Sequence, residues 1–80
     1  MKIYILAENE QGYLLASING NYYLIDDYSG TVEAYDVLQV IGDFKGCGKH
    51  DCINRKGHRL RVSVAGDVGV PNEYFPDYAK

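Results

Sequence analysis

The sequence predicts an α+β domain: a small antiparallel sheet of four or five strands with one helix packed across it, a small all-β barrel being the alternative. Three observations lead there. Residues 2–26 read as strand-like segments separated by turn residues, residues 31–41 carry a helical period, and residues 59–64, within a strand over 57–65, alternate between polar and apolar.

Each element follows from its residues. Lys2 to Glu8 is rich in β-branched and aromatic side chains, the composition of a strand. Asn9 to Gly12 supplies a turn, and Tyr13 to Ile18 a second strand. Asn19-Gly20 is the preferred pair for a type I′ hairpin turn, where both central residues need positive φ, so Tyr22 to Asp26 becomes the third strand. Over Thr31 to Ile41 the polar residues Glu33, Asp36, Gln39 and then Asp43 recur every three or four positions, opposite Ala34, Val37, Leu38 and Ile41. With Thr31 as N-cap and Gly42 at the left-handed C-terminal position, this spacing predicts a helix. Val32, Tyr35, Val37, Val40 and Ile41 are better strand formers and keep the barrel alternative open. Gly57 to Ala65 is the clearest strand, with Leu60, Val62 and Val64 on one face and Arg59, Arg61 and Ser63 on the other. Gly66, Gly69, Pro71 and Pro76 predict turns and an extended tail, whose Tyr74, Phe75 and Tyr78 are expected to dock on the sheet or on a partner.

The segment GNYYLIDDYSGTVEAYDVL, Gly20 to Leu38, resembles one unit of a WG repeat in the order of its glycine, aromatics, Ile-Asp, second glycine and Tyr-Asp. That resemblance implies strand rather than helix beyond residue 31.

Eighty residues make one domain, 1–80, with room for a single core. No apolar run reaches the ~18 residues that span a membrane, and Ile3 to Ala7 is too short for a signal-peptide core. A cytoplasmic location is expected, where two cysteines serve as thiols or ligands rather than as a lasting disulfide. The net charge of −3 hides an asymmetry. Residues 1–44 carry one cation against seven carboxylates, a net of −6, whereas residues 45–61 carry six cations against Asp51 alone, a net of +5.

That basic stretch also contains both cysteines and both histidines, within GCGKHDCINRKGH. Cys47, His50, Cys52 and His58 form C-x2-H-x-C-x5-H, the donor set of a structural Cys2His2 zinc site, although one residue between His50 and Cys52 demands a kink. Zinc is therefore a candidate staple for a small fold. A Walker A loop fails, because Asp43 stands where its pattern needs glycine and His50 where it needs Ser or Thr. Gly46 to Gly48 retains the weaker potential of a backbone anion nest beside Lys45 and Lys49.

Two binding functions follow, and no catalytic one: a Cys-His pair in one loop is a poor preorganised nucleophile, and so small a domain has little volume for a cleft. The first is a stand-alone module that contacts a protein partner, an adaptor or inhibitor of the kind mobile genetic elements often encode. Tyr22 and Tyr23 face opposite sides of a strand, so one is expected at the surface beside Asp26, Asp27 and Tyr28 as an interface anchor. The alternative is nucleic-acid or phosphate-ligand binding through Lys45, Lys49, Arg55, Lys56, Arg59 and Arg61, with His50, His58 and Phe44 stacking on bases.

Overall fold

The computed structural model describes residues 1–67 and Phe75. The described residues form six antiparallel strands: β1 (Lys2–Glu8), β2 (Leu14–Ile18), β3 (Asn21–Tyr28), β4 (Val37–Val40), β5 (Gly48–Ile53) and β6 (Arg59–Asp67). They close into a barrel in the order β1-β2-β3-β6-β5-β4, with β4 returning to pair with β1. The small all-β barrel is thus the architecture, and the α+β expectation is corrected.

The correction falls on residues 31–41. No helix forms among the described residues; residues 31–36 are a crossing loop and Val37–Val40 is a strand. A helix would have buried Ala34, Val37, Leu38 and Ile41 together. The chain instead buries Leu38 and Val40, two apart, while Ala34 and Ile41 stay exposed. The β-branched residues found strand partners on both sides, β1 and β5, and two ladders outweigh a weak helical period. β5 is the sixth strand, absent from the expected four or five, and it occupies the Cys/His segment itself.

The hairpins formed where turn chemistry placed them. Asn19 and Gly20 have φ of 53° and 84°, the pair of positive values a type I′ turn requires. The Asn9 side-chain oxygen accepts the N–H groups of Gln11 and Tyr13 and holds the β1–β2 turn. Gly66, expected in a turn, continues β6. The tail glycine and prolines and Tyr74 and Tyr78 lie outside the described residues.

Ile3, Ile5, Leu14, Ala16, Ile18, Ile25, Leu38, Val40, Cys52, Leu60, Val62 and Val64 fill the barrel. The β3–β4 loop crosses one end and plugs it with Val32. Phe44, from the β4–β5 loop, packs at the other end, edge-on to Tyr23 at 5.5 Å. A second cluster lies outside the barrel, where Phe75 covers Leu15 and Leu24 with Leu6, Ala7, Tyr13 and Tyr22 around it. The expected docking of the tail on the sheet holds for Phe75. One outer face, over β1 to β3, is therefore partly covered by the chain itself.

Candidate contact face and the Cys/His segment

Strand alternation sets what the other outer face presents. The register aligns Lys2 of β1, Gln39 of β4, Ile53 of β5 and Arg59 of β6 in one row, with Tyr4 opposite Val37 in the next. Their neighbours Ile3, Leu38, Val40, Cys52 and Leu60 point inward, so this set points out. On β5 and β6, Lys49 and Asp51 stand opposite Ser63 and Arg61. Arg61 Nε donates to Asp51 Oδ1 at 2.9 Å, the one ion pair among the described residues. Both side chains are more than half exposed, so the pair adds little stability.

With Arg55 at its edge, this face carries five cations (Lys2, Lys49, Arg55, Arg59 and Arg61) against Asp51, a net of +4 on a chain of net −3. Tyr4 (46% exposed) and Ile41 (39%) add exposed apolar surface. Lys45 and Lys56 lie exposed at opposite ends of the β5–β6 hairpin. All six basic residues expected at a contact surface are exposed and follow this hairpin from end to end.

The three tyrosines named with them are placed differently. Tyr23 packs on the barrel core and against Phe44, Tyr22 joins the cluster under Phe75, and Tyr28 packs on the core. The Tyr28 hydroxyl donates to Glu8 Oε2 at 3.1 Å. Desolvation first, then this bond and the Glu8 charge, pushes its ionisation up. Tyr22 and Tyr23 face opposite sides of β3, and both are half-buried, Tyr23 against the core and Tyr22 in the outer cluster with Phe75.

Among the described residues the exposed tyrosines are Tyr4 and Tyr35, neither of which the sequence singled out as a contact residue. Tyr35 is 79% exposed and has φ of 70°. A bulky residue in the left-handed region costs about 1–2 kcal/mol. It is held there by neighbours: Tyr35 N–H donates to Ile5 O at 2.7 Å, and Ile5 N–H donates to Asp36 O at 2.8 Å. Asp36 closes the turn, its Oδ2 accepting Glu33 N–H at 2.9 Å. Outside the prospective helix, no sequence signal would have singled out this ring.

The four zinc candidates are not brought to one point. His50 and Cys52 project inward from β5, whereas Cys47 and His58 are exposed. Cys47 precedes β5 and His58 pairs with Asn54 beyond its far end, so about seven residues at ~3.3 Å each, roughly 20 Å, separate them along the hairpin. Among the described residues no group of three or more His, Cys, Asp or Glu side chains is placed to hold a metal ion. In this structure the four donors are not gathered around one point.

His50 has other work. Its Nε2 accepts Lys45 N–H at 3.1 Å, and its Nδ1 lies 3.1 Å from Gly48 O. Only a neutral ring with the proton on Nδ1 satisfies both. The ring also stacks on Phe44 at 4.7 Å and 25°. β4 and β5 share only two register pairs, Gln39 with Ile53 and Val40 with Cys52, before the chain leaves the wall. His50 thus ties the β4–β5 loop to the barrel where strand pairing has stopped. Cys52 is fully buried, and burial, then the Asp51 charge, pushes its thiol up to about 11.

The sequence matches no protein-family model, and comparisons with curated proteins and with solved structures find no match either.

Proposed function

We propose that the protein is a binding module that contacts a protein partner through the outer face of β1, β4, β5 and β6. The observation that carries this reading is the contrast between the two outer faces. One is partly covered by Phe75; the other leaves Tyr4 and Ile41 exposed among five cations. Exposed apolar surface with Tyr and Arg is the composition of an interface core, and the charges around it steer and orient a partner. The partner surface would be acidic with apolar side chains among its carboxylates.

A nucleic-acid ligand is the second reading, favoured by one observation: of the five cations on this face, only Arg61 is paired with a carboxylate among the described residues. Against it stands the acidic chain as a whole, which disfavours long-range attraction to a phosphate backbone.

The test is affinity capture from the source cell with the native chain and an Arg55→Glu/Arg59→Glu variant, each with and without nuclease. The protein reading expects a defined partner recovered by the native chain, lost with the variant and indifferent to nuclease. Recovery abolished by nuclease would replace it with the nucleic-acid reading. Equal recovery by both chains would remove the face from either.

A further inference from the structure

Within the uncovered face lies a shallow hollow of about 320 Å³. Tyr4, Val37 and Ile53 give it an apolar floor, and Lys2 and Arg55 stand at its rim. Neither cation has a carboxylate partner among the described residues. Asn54 and Arg55 also line a neighbouring cleft of about 520 Å³ that runs between the crossing loop and the β5–β6 turn, past Asp36. Tyr35 lines neither hollow but directly precedes Asp36 and Val37, which line one each, so its backbone lies beside both.

Tyr35 is the feature that a purely structural account leaves over. Its ring makes no hydrogen bond or ring contact with the described residues, and it is the most exposed large apolar side chain among them. Its backbone is in a conformation that glycine or asparagine would adopt with less strain. A fold selected only for stability gains nothing from tyrosine here. Positive φ at a bulky residue, enforced by flanking backbone bonds, is the signature of a side chain held out for contact.

We infer that this hollow receives an acidic segment of a partner protein, one apolar side chain seated on Tyr4, Val37 and Ile53, with Tyr35 closing over it as the anchor. The inference rests on the protein-contact reading above and names the ligand chemistry of the same face. Charge complementarity selects the occupant: carboxylates on either side of the seated side chain would meet Lys2 and Arg55 first, and Arg59 beyond them. A basic segment would face those same cations, and a wholly polar one would leave the floor wet.

The experiment uses the intact chain and three labelled probes: an acidic peptide with one central phenylalanine, its serine-centred copy, and a short oligothymidylate. Binding is read by fluorescence anisotropy at low salt, for the native chain and for Tyr35→Gly and Arg55→Glu, with thermal melts of all three proteins. The phenylalanine peptide should bind at least tenfold tighter than the serine copy. Each substitution should weaken it by tenfold or more, while Tyr35→Gly raises the melting temperature by about 5 °C. A lower melting temperature for Tyr35→Gly would make the ring structural and overturn the anchor. Unchanged binding by Tyr35→Gly, with Arg55→Glu weakened, would also remove the anchor but leave the contact reading standing. Equal affinity for the two peptides would eliminate the apolar seat. Tighter binding of the oligothymidylate, or no binding of any probe, would overturn both this inference and the reading beneath it.

Discussion

Replacing His50 separates the three things its ring does. In His50→Ala, the bonds from Lys45 N–H and to Gly48 O are lost, together with the stack on Phe44. Each bond contributes about 1 kcal/mol net, taking a low value because Lys45 and Gly48 are exposed and water can replace the partner. The aromatic stack adds about 1 kcal/mol, giving about 3 kcal/mol in all. In His50→Phe the stack and most of the volume survive, so the loss falls to about 2 kcal/mol. For a domain of this size, these figures lower the melting temperature by about 12–24 °C and 8–16 °C respectively. Calorimetry at neutral pH measures both, and amide exchange at Lys45 reports on the bond directly: protected in the native chain, fast in both variants. A His50→Phe protein that melts with the native one would refute the reasoning. The β4–β5 loop would then be held by Phe44 packing alone, and the paired ring nitrogens would be incidental.

Further outcomes follow from the same geometry. The Cys52 thiol ionises near 11 in the fold against an ordinary value of 9.0, so its contribution is complete below about pH 9 and is lost as pH rises toward 11. Two pH units correspond to about 3 kcal/mol at most, and urea midpoints between pH 8 and 11 should fall more steeply for the native chain than for Cys52→Ala; parallel curves would refute this. Cys47 is exposed and Cys52 buried, so under native conditions one thiol should label rapidly and the second only on unfolding, as counted by intact mass. Because the four Cys and His residues are spread along the hairpin, a chelator should leave the melting temperature unchanged, whereas a drop with loss of one zinc per chain would restore the metal site. Phe75→Ala should cost about 3 kcal/mol by uncovering Leu15 and Leu24, seen as a lower midpoint with increased binding of a hydrophobic dye.

The site was legible in part. The cations of residues 45–61 were evident as a group, and strand alternation at Leu60, Val62 and Val64 already aimed Arg59 and Arg61 outward. Their neighbours on β1 and β4 were not evident. Lys2, Tyr4 and Val37 join them only because the barrel closes, a pairing between residues more than thirty positions apart. The same closure accounts for β5. Read locally, Lys49-His50-Asp51-Cys52 looks like a loop of ligands; flanked by β4 and β6, it becomes an alternation with His50 and Cys52 inward.

Local chemistry was decided by the sequence alone: the Asn19-Gly20 hairpin, the Asn9 turn, the alternating strand β6 and the split of charge between two parts of the chain. Each depends on interactions within a few residues, which a sequence displays directly. Tertiary structure decided the rest. Whether residues 31–41 became helix or strand depended on free edges waiting at β1 and β5. How far Tyr22 was covered depended on where Phe75 came to lie. His50 could be read as a ligand until Lys45 N–H and Gly48 O took both of its nitrogens. In each case the local preference was weak, and the choice went to partners distant in sequence that only the closed barrel brings within reach.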